Sequence, residues 1–92
     1  MSDLTKLPNI GSELSRRLEL AGIKTSNELK ELGTENAFIK LKTVFPDACY
    51  NQLYAMEGAI QGIRWHGISK ERKEELQEFM NSLQKDSNDL FE

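Results

Sequence analysis

The chain has 92 residues and a formal net charge of −3, from 12 basic and 15 acidic side chains. That length suits one domain and is too short for two separate cores. The single cysteine, Cys49, excludes an internal disulfide and a thiolate zinc cage. A lone thiol fits a reducing compartment, so the expected location is the cytoplasm. The acid excess lies in the second half: residues 1–45 hold 7 Lys and Arg against 6 Asp and Glu, and residues 46–92 hold 5 against 9. That balance disfavours a general nucleic-acid coat, which needs a basic footprint, but permits a local phosphate contact from the first half. No apolar signal-peptide stretch opens the chain, and no apolar run approaches the roughly 18 residues of a membrane span. No membrane contact is expected.

Pro8 and Gly11 bracket a tight turn, Leu7-Pro8-Asn9-Ile10-Gly11, in which Asn9 is one of the few non-glycine residues that tolerates a left-handed backbone. A helix is predicted from Ser12 to Ala21, with Leu14, Leu18 and Ala21 on one face and Gly22 as its stop. Thr25-Ser26-Asn27-Glu28 reads as a capping box for a short helix carrying Leu29 and Leu32, closed by Gly33. Thr34 is the next candidate N-cap. The helix after it presents Phe38, Leu41 and Phe45, with Ala37 and Val44 beside them, and Pro46 ends it. Asp47 is expected to cap a long helix with Cys49, Leu53, Met56, Ile60 and Ile63 at intervals of 4, 3, 4 and 3. Gly58 and Gly62 lower its propensity, and small residues also allow close approach. The segment from Arg64 to Ile68 is a connector. Ser69 then caps a last helix striped with Leu76, Phe79, Met80 and Leu83, and residues 86–92 are expected to be a frayed tail.

These capped, period-3.6 segments predict an all-α bundle of about five helices in a single domain over residues 1–85. The expected core is Leu14, Leu18, Leu29, Phe38, Leu41, Phe45, Leu53, Met56, Ile60, Leu76, Phe79 and Leu83. Trp65 is expected to lie largely buried as a wedge between the last two helices. A platform for base stacking is the second, sharper reading of the same ring. One histidine, His66, with no second histidine, carboxylate pair or Gly-rich loop makes no active site. No catalytic residue, metal, cofactor or small-molecule substrate is therefore expected. Cys49 reads as a small core hydrophobe.

The stretch from Leu4 to Leu32 is the most informative. A hairpin at 7–11, a helix ending in Ala21-Gly22-Ile23 and a second start at Thr25 resemble a helix-hairpin-helix arrangement. Such hairpins present free backbone N–H groups that can hold a phosphate. The candidate DNA contacts are Asn9, Ile10, Gly11 and Ser12, with Arg16 and Arg17 one turn on and Lys6 and Lys24 as flanks. DNA-binding hairpins usually carry glycine where this chain has Asn9. The alternative is a hairpin that only packs helices, in a module that binds another protein or a second copy of itself.

The order and spacing of several short motifs carry a family resemblance. Leu7-Pro8-Asn9-Ile10-Gly11, Ala21-Gly22-Ile23-Lys24-Thr25, Glu31-Leu32-Gly33, Leu53-Tyr54-Ala55-Met56-Glu57-Gly58-Ala59, Gly62-Ile63-Arg64-Trp65-His66 and Arg72-Lys73 resemble the C-terminal domain of the TfoX (Sxy) competence regulators. The match spans about residues 4–83. The resemblance implies a non-enzymatic regulatory or binding module and supplies no catalytic residues. Two-domain relatives act in transcription of DNA-uptake genes. This chain has no room for their N-terminal domain, which leaves the competence role itself open.

Overall fold

Glycine and proline set the ends of five α-helices in a computed structural model of the protein, which describes residues 3–89, with side chains as far as Leu83. A 3-10 turn over Leu4–Lys6 leads through the 7–11 hairpin into α1 (Ser12–Leu20). Then follow α2 (Ser26–Leu32), α3 (Thr34–Val44), α4 (Tyr50–Gln61), a 3-10 turn over Trp65–Gly67, and α5 (Lys70–Asp89). No strand occurs among the described residues, so the expected all-α fold is the one observed. Residues 86–89 of the expected tail are helical, and 90–92 lie outside the described residues.

The helix ends follow local chemistry. α1 stops in a Schellman turn: Gly22 takes φ 93°, Ile23 N–H donates to Leu18 O at 2.8 Å, and both side chains are fully buried. α4 stops the same way at Gly62 (φ 77°), with Ile63 N–H donating to Gly58 O at 2.9 Å. Thr25 Oγ1 accepts from the Glu28 amide at 3.1 Å, as the capping box requires, while the Glu28 carboxylate reaches Lys24 N–H rather than Thr25 N–H. Asp3 supports the same start, accepting from the Ser26 amide and hydroxyl, each at 2.8 Å. Ser69 Oγ accepts from the Arg72 amide at the start of α5.

Two expected caps fall elsewhere. Thr34 is the first residue of α3 and Gly33 precedes it, because the Thr34 hydroxyl is drawn to Glu57. Asp47 lies outside α4, whose N-cap is Cys49; the Cys49 amide donates to Gln52 Oε1, and Asp47 pairs with Arg17 instead. The Cys49 side chain is consequently exposed, not part of the core stripe. Ile63 likewise falls past the end of α4 in the Gly62 turn and is only half-buried.

α3 lies at the centre, in contact with α1, α2 and α4, and α5 closes against α4. Leu14, Leu18, Leu29, Phe38, Leu41, Leu53, Met56 and Leu76 form the buried core as expected. Phe45, Ile60, Phe79 and Leu83 pack against it half-buried, with Phe79 edge-on to Phe38 at 6.3 Å between ring centres. Periodicity overlooks Leu4, Ile10, Ile23 and Ile68, which are buried from turns rather than helices. Trp65 is 42% exposed, which overturns the expected wedge. The 3-10 turn carries its ring out of the α4–α5 joint, and Ile68 is the buried residue of this connector.

A buried carboxylate joins three helices. Glu57 of α4 is 6% exposed; it accepts from Thr34 Oγ1 of α3 at 2.7 Å, from Arg72 Nε of α5 at 3.0 Å, and from Gln61 Nε2. Arg72 also forks onto both Glu35 oxygens at 2.8 and 3.0 Å. Burial pushes the Glu57 carboxyl up, but the bonds from Arg72, Thr34 and Gln61 outweigh it and hold it below its ordinary 4.5. The bond from Arg72 likewise lowers Glu35. Both folded-state values lie below the unfolded ones, so the stabilisation is present above pH 4.5 and lost as the pH falls through the folded values. Glu57→Gln should therefore destabilise the fold by about 3 kcal/mol near neutrality, the low end for breaking a buried pair because Arg72 keeps Glu35. Denaturation midpoints should fall on acidification below pH 4.5 in the wild type and less steeply in the variant; parallel curves would contradict the assignment.

Candidate functional site

The hairpin that the sequence singles out is packed against the far end of α4. Asn9 takes φ 69°, the left-handed conformation that glycine fills most easily and asparagine tolerates. This turns its amide toward the Gly62 turn. Nδ2 donates to Ile63 O at 2.9 Å, and Oδ1 accepts from Trp65 N–H at 3.2 Å. The asparagine thus bridges the carbonyl and the amide on either side of Arg64. Gly58 makes room for it: a Cβ there would overlap Asn9 Nδ2 and lie 2.8 Å from Ile63 O. Ile10 anchors the hairpin from below, 5% exposed in the core.

The other expected contacts lie along α1. Gly11 is its N-cap, and Ser12 is exposed at its first position. Glu13 follows in the first turn and takes both arginines: Arg16 bonds it at 2.7 and 3.2 Å, and Arg17 Nε at 3.3 Å. Arg17 also forks onto Asp47 at 3.2 Å through each nitrogen and lies 4.7 Å over the Phe45 ring. Its side chain is 18% exposed, against 55% for Arg16. The bonds from these arginines hold the Glu13 and Asp47 carboxyls below their ordinary range. The cations and the hairpin are neighbours, as the sequence suggests, but two acids neutralise the cations on the spot.

A cleft of about 320 Å³ opens beside the hairpin, lined by Asn9, Asn51, Tyr54, Ala55, Arg64 and Trp65. Asn51 and Tyr54 come from the first turns of α4, and Arg64 and Trp65 from the turn that Asn9 holds. The Trp65 ring stacks on His66 with centres 4.1 Å apart, and the Lys73 ammonium lies 5.5 Å from the indole centre. Tyr54 sits 6.0 Å from Tyr50, and its hydroxyl accepts from Gln77 Nε2 at 3.1 Å, which leaves its proton free to donate. The Arg64 guanidinium and the Asn51 amide have no partner among the described residues. Sequence reasoning missed Arg64, Asn51 and Tyr54 as a group. The available signals were an Asn where a hairpin prefers Gly, which needs partners for its amide, and the cation-aromatic run Arg64-Trp65-His66. Among the described residues no three His, Cys, Asp or Glu side chains gather as a metal site would require.

Fold and site define a small all-helical domain led by a hairpin, with no helix among the described residues long and apolar enough to cross a membrane. The chain belongs to the TfoX C-terminal domain family, whose model matches residues 1–80. It is similar to two crystal structures of proteins of unknown function from Listeria monocytogenes. A triclinic form is 48% identical with a TM-score of 0.86, covering 88% of this chain and 92% of that one. A tetragonal form is 48% identical with a TM-score of 0.84, covering 86% and 98%. Among curated proteins, none matches.

The Asn9–Gly58 contact makes a prediction of unusual sign. Gly→Ala inside a helix ordinarily stabilises by about 1 kcal/mol. Gly58→Ala should instead destabilise by about 1–3 kcal/mol, because the methyl forces the hairpin off the Gly62 turn. Urea denaturation would read this directly, and a variant more stable than wild type would contradict the contact.

Proposed function

We propose that this domain is a non-enzymatic binding module in which the hairpin is a packing element and the contact surface is the cleft beside Trp65. The observation that carries this reading is an exposed indole next to a guanidinium with no partner among the described residues, in a concave site walled by Asn9 and Tyr54. Large aromatics and arginines are the side chains that most often anchor binding. The side chains around the hairpin have little left to offer a ligand. Both polar atoms of the Asn9 amide are engaged, and Arg16 and Arg17 face Glu13 and Asp47. A family whose two-domain members regulate transcription fits a module that acts by occupying a partner.

A second reading keeps weak, sequence-independent contact between the hairpin and duplex phosphates. It is favoured by the left-handed Asn9, which preserves the hairpin backbone, and by the exposure of Arg16. The two readings divide on a generic DNA duplex titrated at low salt. Wild type and Arg16→Glu should behave alike, with no binding or with weak binding that Arg16 does not control. Binding that Arg16→Glu abolishes, with a salt slope equivalent to roughly two to four phosphates, would return the site to the hairpin. Arg17 is unsuited to the test, because its pairing with Asp47 and Phe45 is part of the fold.

A further inference from the structure

The groups lining the Trp65 cleft have a consistent chemistry. Arg64 offers five N–H donors and a full charge with no partner among the described residues. Asn51 adds an uncommitted amide, and the Tyr54 hydroxyl has a proton to give. The cleft's free hydrogen-bonding capacity is thus mainly donor, and its charge is positive. None of the six lining residues is acidic. The complement is an anion or an acceptor-rich group.

The second feature is aromatic. Trp65, 42% exposed as a residue, lines the cleft, and Tyr54 forms another side. His66 and Lys73 flank the indole at 4.1 and 5.5 Å. A carboxylate alone would use Arg64 and leave the indole idle. A planar, π-faced ligand that also carries negative charge would use both. Stacking of bases on aromatic side chains beside cations that follow the phosphates is the general solution for unpaired nucleic acid. A duplex keeps its bases stacked inside and cannot present one to Trp65 without flipping it.

The third feature is size. A single arginine in an acidic protein of net charge −3 cannot neutralise a long phosphate run. The cleft has room for one base with its sugar and phosphate rather than for an extended strand. Lys73, on a flexible stem at the rim, is the nearest second cation.

We propose that the Trp65 cleft holds a single unpaired nucleotide, its base against the indole and its phosphate on Arg64. This rests on the reading of the cleft as the contact surface. The nucleotide is either free or part of a single strand, and the test separates the two sources.

Trp65 is the only tryptophan in the chain, so its emission reports on this site alone. The full chain is titrated at low salt with a mononucleotide mixture, with short homopolymeric single strands of DNA and RNA, with the corresponding duplex, and with an acidic peptide lacking aromatics. The expected result is saturable quenching by single strands, or by mononucleotides if the free form is the ligand, with the duplex far weaker. Arg64→Ala should weaken it several-fold and make it less dependent on salt. Trp65→Leu, followed by amide NMR shifts at Asn51 and Arg64, should weaken it roughly tenfold to a hundredfold, the loss of one base–aromatic stack. Circular dichroism confirms that both variants fold. Quenching by the acidic peptide but not by any nucleotide would overturn the nucleotide and leave the cleft as the contact surface. No response of Trp65 or its neighbours to any of the four ligands would overturn both. Single-strand binding that Arg64→Ala and Trp65→Leu leave unchanged would place the ligand elsewhere and overturn the assignment.

Discussion

One asparagine side chain determines how the two informative segments of this protein meet. The Asn9 amide donates to Ile63 O and accepts from Trp65 N–H, so it pairs two backbone groups of the segment that leads from α4 into the 3-10 turn. A glycine at the same position would permit the same turn but supply neither bond. Gly58, one helical turn earlier, has no side chain, and only that absence lets Asn9 approach. The hairpin, the Gly62 turn and α4 thereby become one unit. Arg64 sits between the two bonded backbone groups, and its side chain and that of Trp65 form the wall of the cleft. The site is a consequence of the clamp.

The Glu57 cluster fixes the rest of the bundle next to this unit. Glu57 and Gly58 are adjacent in α4, and they do opposite things. Glu57 carries a charge into the interior, where Thr34, Gln61 and Arg72 hold it. Gly58 removes bulk so that the hairpin can close. Together they tie α3 and α5 to α4 through one residue and the N-terminal hairpin through the next. Buried ion pairs add little net stability against a hydrophobic equivalent, but they penalise the wrong arrangement because an unpaired buried charge is costly. The cluster suits a fold whose short helices could otherwise slide on an apolar core.

The helices were legible because their signals are local. Gly22 and Gly33 end α1 and α2, Thr25 starts α2, and the apolar stripe of Leu53 and Met56 shows which face of α4 is buried. What failed depended on contacts distant in sequence. Asp47 looks like a cap beside Tyr50 but answers Arg17, 30 positions away. Cys49 continues the arithmetic of the stripe, yet α4 starts one residue later and leaves it at the N-cap. Trp65 is a large apolar residue between two helices, for which burial is the ordinary expectation. Its 3-10 turn, held by an asparagine 56 positions earlier, turns it outward. The cleft was illegible for the same reason, because Asn51, Tyr54 and Arg64 share no motif and meet only once Asn9 has set the turn.

The central claim is that Asn9 is a structural clamp rather than an imperfect substitute for a phosphate-binding glycine. The stability of Asn9→Gly tests it most directly. Glycine accepts φ 69° without strain, so the hairpin backbone is free to persist in the variant. If the clamp holds the structure, losing two hydrogen bonds should lower the unfolding free energy by about 1–3 kcal/mol, read as a lower denaturant midpoint at unchanged slope. A variant as stable as the wild type, or more stable, would contradict the account.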